Sequence, residues 1–402
     1  MSLLFSQRQK ANYGTAITKY NLSTWDDLTK VLYFIGKQAE RSLPQCKNNP
    51  ALKPVLEGFL ETVGLNLDSP IQDISNAAAR ELATRFLDDE TVKRITDNIV
   101  ETIRNNSGKE FKSIRIASPF PIDESGTKNN FAPALAAAVT AKLEKELPTV
   151  LKAVGMKNIE VIAELDASKV SRDDAILNIV NNARSTLYTP PQGQEWNDMK
   201  RVTLQPVFSG NIDPDALYVP VDDFLVSQTT TAGLMNYIQS NGGTTTSPVC
   251  GIVLFKGAEV IAPQQETLDL LKLVINNDAK TKTDISKILN SAGLYIDFEK
   301  VENTTLSNIE LLFVGAFFAD GGNTDHQEAF KRAIEAVGGT VEQTKGKSAA
   351  GIFGTKPGTA EELKAIFEQS LEQRLNMVDE ANFRFQNLIH SGRAKIYEGA
   401  AL

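Results

Sequence analysis

Residues 218–234 have the sequence YVPVDDFLVSQTTTAGL, which joins an apolar run, two carboxylates, a hydroxyl-rich loop and a helix start. The carboxylates are Asp222 and Asp223. In an open α/β sheet the carboxyl ends of the strands border the ligand crevice. Backbone N–H groups entering a helix bind anions, and Ser and Thr hydroxyls add donors. The segment therefore predicts a sugar-phosphate site, in which the acids accept hydrogen bonds from sugar hydroxyls.

The sequence around this segment alternates between strand and helix patterns. Strand patterns lie at 113–118, 159–163, 202–208, 217–221 and 248–255, and helix patterns at 131–147, 172–184 and 229–240. We expect Pro148 to end the first of these helices, since proline lacks the backbone N–H. The alternation predicts an α/β fold, with a mostly parallel sheet and helices on both faces.

Residues 218–231 resemble the phosphoribosyl-pyrophosphate (PRPP) binding motif of type I phosphoribosyltransferases. In that family an apolar run precedes two acids, two variable residues, a Thr/Ser pair, a glycine and another Thr/Ser pair. The resemblance extends over roughly residues 111–262 and implies a phosphoribosyltransferase-like fold. It implies that Asp222 and Asp223 hold the ribose 2′- and 3′-hydroxyls. The residues it assigns to the 5′-phosphate region are Ser227, Gln228, Thr229, Thr230 and Thr231.

The resemblance also implies an anion-binding loop and a lid. The loop at 118–127 falls where the family binds pyrophosphate, with Ser125, Gly126 and Thr127 as the binding residues; an ordinary turn is the alternative. The stretch 185–200 falls at the mobile lid, or is a plain surface loop. Lys200 and Arg201 would neutralise pyrophosphate, or are solvated charges at a strand edge.

Mg²⁺ is the cofactor that the resemblance implies, at Asp222 and Asp223. Asp123 and Glu124 are a second candidate pair, since Mg²⁺ prefers carboxylate, water and phosphate oxygens.

The implied activity is a Mg²⁺-dependent transfer of phosphoribose, from PRPP or a nucleoside monophosphate, to or from a base or another nitrogen nucleophile. A protein nucleophile is not required, because this chemistry depends on positioning and charge stabilisation. The alternative is a catalytically inactive module that senses PRPP or a nucleotide and contacts a partner through its flanks. Gln228, where the family usually has glycine, favours this alternative. A third possibility is a structural protein with an empty site.

Helical patterns flank the α/β region on both sides. They predict a helical accessory domain at 1–108, a phosphoribosyltransferase-like domain at 109–263 and a helical C-terminal region at 264–402. Within the first domain Pro44 is expected to interrupt a helix that begins near Asp26. The apolar helix at 305–318 is expected in the core or at a dimer interface. We therefore expect a homo-oligomer or a protein partner.

The composition of the 402 residues narrows the class of protein. With 42 Lys and Arg against 50 Asp and Glu, the formal charge is −8, which disfavours direct binding to nucleic acid. Two cysteines and two histidines supply neither a disulfide framework nor a zinc cage. The start of the sequence has no signal h-region, and the longest apolar run, 311–319, is too short for a membrane span. We therefore expect a cytoplasmic protein without a membrane partner.

Overall fold

A computed structural model of the chain describes residues 13–21, 26–119, 130–162, 167–170, 207–225, 228–253, 259–275, 277–291, 294–319, 339–340 and 354–355. The strands are β1 Ile17–Asn21, β2 Ser113–Ala117, β3 Glu160–Ile162, β4 Ala167–Val170, β5 Val207–Gly210, β6 Ala216–Leu225, β7 Thr244–Thr245, β8 Val249–Val253, β9 Gly339–Thr340 and β10 Gly354–Thr355. The helices are α1 Asp27–Asn48, α2 Leu52–Thr62, α3 Ile71–Phe86, α4 Asp89–Asn105, α5 Phe131–Ala153, α6 Thr229–Ser240, α7 Gln265–Val274, α8 Ala279–Ser291 and α9 Asn308–Ala319.

Six strands form one sheet, which has the order β1-β8-β6-β2-β3 with β7 also beside β6. Every neighbouring pair in this sheet runs parallel. The predicted α/β class with a mostly parallel sheet is therefore confirmed. Strands β4 and β5 form a separate antiparallel pair, as do β9 and β10.

Strand β6 is the longest strand of the sheet, and each half has a different neighbour. Residues 216–220 pair with β2, whereas residues 221–225 pair with β8. The sequence predicted that the strand ends before the two acids, but Asp222 and Asp223 lie inside it and both are buried. Both carboxylates have polar partners elsewhere in the protein, which compensate the free-energy cost of burying them. The strand can therefore continue through Asp222 and Asp223, where it pairs with β8.

The connections that follow β2 and β6 lead to opposite sides of the sheet. The chain leaves β2 through α5 and returns at β3, on the side away from β6; it leaves β6 through α6 and returns at β8, on the other side. Such a switch point opens a crevice at the carboxyl ends of the two strands. We call this part of the sheet, where β2 and β6 end, the carboxyl edge.

Two prolines that were expected to end helices lie inside them. Helix α1 continues through Pro44, and α5 continues through Pro148 as far as Ala153. Leu147 and Leu151, on either side of Pro148, are buried in the core. Their packing stabilises the helix past the proline, so tertiary contacts override the local preference.

The N-terminal region contributes a strand as well as helices. Strand β1 lies at one end of the sheet order and pairs with β8, although only helices were predicted there. The Arg94 guanidinium of α4 donates to the Thr18 carbonyl of β1 at 2.9 Å. One continuous cluster of buried apolar side chains extends from Tyr13 to Val314. The domain boundaries at 108 and 263 stay predictions, but the sheet and its neighbouring helices share a core.

The C-terminal helices that the structure describes contribute buried side chains to the same core as the sheet. Helix α9 packs against α7, and its side chains from Ile309 to Val314 are buried. The sequence predicted that this apolar helix lies in the core or at a dimer interface, and among the described residues it lies in the core. The Ser307 amide donates to Glu310 Oε2 at 2.7 Å and the Glu310 amide donates to the Ser307 hydroxyl at 3.4 Å, which is a capping box at the start of α9. Residues 320–338, 341–353 and 356–402 of the predicted helical C-terminal region lie outside the described residues.

No helix in the described ranges combines the length and the apolar character that a membrane crossing requires.

Candidate functional site

The carboxyl edge brings together the second half of β6, the start of α6 and the end of β2. Ser118, directly after β2, is buried, and its hydroxyl has no hydrogen-bond partner among the described residues. Asp222 and Asp223, which we call the acidic pair, lie on β6 beyond the last residue paired with β2. The predicted neighbourhood of acids and helix start is therefore assembled in the structure.

Asp222 is held by α6. The Thr231 hydroxyl donates to Asp222 Oδ2 at 3.1 Å, and the Asp223 amide donates to Asp222 Oδ1 at 2.8 Å. Cys250, the β8 partner of Asp222 in the sheet register, is fully buried. Burial raises the pKa of the Cys250 thiol, and the Asp222 carboxylate raises it further. The thiol therefore stays protonated beside this carboxylate at neutral pH.

Asp223 is held by the N-terminal helix α1. The Lys37 ammonium lies 2.7 Å from Asp223 Oδ2 and donates to the Tyr33 hydroxyl at 2.9 Å. The same nitrogen lies 5.3 Å from the ring centre of Tyr33 and 5.6 Å from that of Phe224. Burial lowers the pKa of Lys37, but Asp223 and Tyr33 together raise it by more, so the pKa is raised overall. The Lys37 ammonium is therefore charged at neutral pH.

The two carboxylates of the acidic pair contact different helices. Successive residues of a strand point to opposite faces, and the two carboxylates contact different helices, α6 and α1. Among the described residues, no group of three or more His, Cys, Asp or Glu side chains is placed to hold a metal ion. The predicted Mg²⁺ site at this pair stays a prediction.

Helix α6 begins directly after a residue with a left-handed backbone conformation. Gln228 has a φ of 61°, which is the left-handed region that favours glycine. Its amide Nε2 donates to the Val260 carbonyl at 2.9 Å, so the side chain extends toward residues 259–261. Thr229 and Thr231 are buried and Thr230 is half-buried in the first turn. The first amides of the helix therefore follow a sharp turn at the carboxyl edge.

Several predicted site residues lie outside the described part of the chain. They are Ser227, Lys200 and Arg201, the loop residues Ser125, Gly126 and Thr127, and the alternative metal pair Asp123 and Glu124. The predicted helix at 172–184 and the predicted lid at 185–200 also lie there. Their proposed roles stay predictions.

Sequence reasoning missed Lys37 and Tyr33. Both lie on α1, in the region that was predicted to be an accessory domain, far in the chain from the acidic pair. Their spacing of four residues places them on one helix face, but this spacing is common in amphipathic helices. No local signal pointed from α1 to β6, so only the packing shows the contact.

No protein-family model matches the chain, and no curated protein or solved structure is similar to it.

Proposed function

We propose that the carboxyl edge binds PRPP or a nucleoside monophosphate and transfers phosphoribose to or from a nitrogen nucleophile. The observation that carries this proposal is the left-handed turn at Gln228 between the acidic pair and the start of α6. The turn coincides with the position of the glycine in the PRPP-binding motif, and it aims the first amides of a helix at the end of a parallel strand.

The ligand's 5′-phosphate would bind at the start of α6. Amides of the first helical turn lack partners within the helix and attract anions, an effect that the helix dipole strengthens. Thr230, half-buried in this turn, adds a hydroxyl donor. The ribose hydroxyls would then donate to Asp222, the carboxylate that contacts α6.

The arrangement of the neighbouring elements supports the same proposal. Strands β4 and β5 lie in the chain on either side of the stretch 185–200, which the resemblance assigns to the lid. The Phe208 ring of β5 lies 6.1 Å from the Tyr237 ring of α6, which connects this pair to the phosphate-binding helix. In the proposed reaction the bond from ribose C1 to pyrophosphate breaks as a bond to nitrogen forms, and the nitrogen loses its proton.

A non-catalytic sensor is the second candidate function. The contact that favours it is the ion pair of Lys37 with Asp223, which places an N-terminal helix directly on the site. Occupancy of the site would then change the contact of α1 with the sheet, and α1 would pass this change to a partner. The Cβ of Gln228, where the family has glycine, also narrows the approach of a phosphate.

Calorimetric titration with PRPP tests the shared part of both candidates. We expect saturable binding to the wild-type protein in the presence of Mg²⁺, and its loss in Asp222→Asn/Asp223→Asn. The matched control is Asp213→Asn/Asp215→Asn, which removes the same charge at the amino end of β6 and should bind normally. Thermal unfolding of each variant checks that the fold is retained. An absence of binding to the folded wild-type protein would contradict both candidates.

Release of pyrophosphate separates the enzyme from the sensor. If PRPP binds, the protein is incubated with PRPP, Mg²⁺ and a panel of bases and amines. Release that depends on a base and is absent in the Asp222→Asn/Asp223→Asn protein supports phosphoribosyl transfer. Binding without release across the panel favours the sensor.

A further inference from the structure

We propose that Lys37 on α1 is a ligand-binding residue, whose ammonium group contacts an anionic phosphate oxygen of the phosphoribosyl ligand beside Asp223. The inference rests on the proposed function, because it names a residue that would bind the negatively charged phosphate of that ligand. In this role α1 is one wall of the site, although the sequence assigned it to an accessory domain.

The donor groups of Lys37 suit this role. An ammonium group carries three N–H donors. Among the described residues, its polar contacts are to Asp223 Oδ2 at 2.7 Å and to the Tyr33 hydroxyl at 2.9 Å. The Lys37 side chain is 29% exposed, whereas that of Asp223 is 8% exposed. A third donor is thus available on a cation that solvent reaches.

The charge of Lys37 also meets a requirement of the site. Two carboxylates on adjacent positions repel an incoming phosphate, and burial strengthens the repulsion because the local dielectric is low. Lys37 neutralises one of them, because its ammonium nitrogen lies 2.7 Å from Asp223 Oδ2. The aromatic faces of Tyr33 and Phe224 keep the ammonium group in place.

A hydrogen-bonded junction fixes the backbone next to Lys37. The Asn130 amide donates to the Gly36 carbonyl at 3.0 Å, and the Asn130 side chain donates to the Ser75 hydroxyl at 2.9 Å. The Ser75 hydroxyl in turn donates to the Ile35 carbonyl at 2.9 Å. Asn130 directly precedes α5, where the segment after β2 ends. The junction therefore ties the position of Lys37 to the start of α5.

Titration of PRPP into Lys37 variants tests the inference on the full chain. We expect Lys37→Met to weaken binding about tenfold or more, and Lys37→Arg to keep most of the affinity because it keeps the charge. The matched control is Lys30→Met on the same helix, which removes an exposed pair with Asp27 and should leave binding unchanged. Affinity in Lys37→Met should also depend less on salt, since one charge contact is lost.

The other outcomes show whether this inference, or the proposed function as well, is wrong. Equal affinity of Lys37→Met and wild type overturns this inference and leaves the proposed function standing. Tighter binding by Lys37→Met also overturns it, because Lys37 then competes with the ligand for Asp223. A wild-type protein that does not bind PRPP overturns both. If Lys37→Met fails to fold, Lys37→Gln replaces it, because its neutral amide still donates to Asp223.

Discussion

Gln228 occupies a backbone conformation that is costly for a residue with a Cβ. A left-handed φ costs an ordinary L-residue about 1–2 kcal/mol, and glycine avoids most of this cost. Its side-chain hydrogen bond to the Val260 carbonyl returns about 0.5–1.5 kcal/mol. The two effects are of similar size, which explains how glutamine persists at a position suited to glycine.

Substitutions at Gln228 should separate these two effects. We expect Gln228→Gly to have a free energy of unfolding within about 1 kcal/mol of the wild type, because it loses the hydrogen bond and also the strain. Gln228→Ala loses the hydrogen bond but keeps the strain, so it should be less stable than Gln228→Gly by about 1 kcal/mol. Urea unfolding of the three proteins measures both differences. An alanine variant as stable as the glycine variant would contradict the strain at this residue.

Because of Asp88, at the start of α4, the folding stability of the protein should fall at acid pH. Hydrogen bonds from Lys19 and from Thr91 hold the pKa of the Asp88 carboxyl well below its usual range. A lowered pKa in the folded state stabilises the protein above the unfolded pKa of about 3.9, and this contribution is lost as the pH falls below it. We expect Asp88→Asn to make the loss of stability between about pH 5 and pH 2 shallower than in the wild type.

Denaturant unfolding over this pH range checks the prediction for Asp88. Asp88→Ala provides the comparison, because it also removes the helix cap, in which Asp88 Oδ1 accepts from the Thr91 amide at 2.9 Å. It should cost about 1 kcal/mol at pH 7, where asparagine still caps the helix. A pH slope in Asp88→Asn equal to that of the wild type would show that the charge does not matter.

The crossing of α1 and α3 depends on Gly36. A Cβ at Gly36 would lie 3.1 Å from the Ala79 Cα and 3.1 Å from its amide nitrogen, which are backbone atoms that cannot rotate away. The close approach of the two helices sets the position of Lys37, the next residue. The contact of α1 with the acidic pair is therefore a consequence of a small residue one position earlier.

Two glycine-to-alanine substitutions should measure the cost of this close approach. At Gly58, on α2, an added Cβ meets nothing within 4 Å, so Gly58→Ala should raise stability by up to about 1 kcal/mol through helix propensity. Gly36→Ala has the same gain in helix propensity, but its added Cβ overpacks the contact between α1 and α3. This variant should therefore be less stable than Gly58→Ala by about 1–3 kcal/mol. Thermal or urea unfolding gives the comparison, and equal stabilities would mean that α1 shifts without cost.

The elements that the sequence predicted are those with a strong local pattern. Helix α6 has the predicted bounds of Thr229–Ser240, because a turn precedes it and Asn241-Gly242 ends it. The parallel sheet followed from the alternation of strands and helices. Strand β1 and the pairing of Lys37 with Asp223 could not be predicted, because both are contacts between residues far apart in the chain. The acids and the hydroxyl-rich turn of the site were found for the opposite reason: they are adjacent in sequence.

The described part of the molecule should unfold as one cooperative unit. Buried side chains of β1, α1, α3 and α4 belong to the same core as those of β6 and β8. A chain of residues 109–402 lacks β1 and uncovers β8, in which every residue is buried. We expect this shorter chain to aggregate, and to recover a cooperative transition when residues 1–108 are supplied in trans. Size-exclusion chromatography and thermal unfolding measure both.

The opposite result would also be informative. A monomeric protein of residues 109–402 with its own cooperative transition would establish 1–108 as an independent domain, as the sequence predicted. In that case β1 would be an added strand on a sheet that is stable without it, and α1 could leave the acidic pair without unfolding the remainder.

The pairing of β1 with β8 has a consequence for synthesis of the protein in the cell. Ile17 pairs with Val249, which the ribosome adds more than two hundred residues later. At about 5–20 residues per second, β1 is synthesised on the order of ten seconds or more before β8. During that interval the exposed edge of β1 is available to chaperones or to other nascent chains. The yield of native protein should therefore respond to translation speed and to chaperone supply.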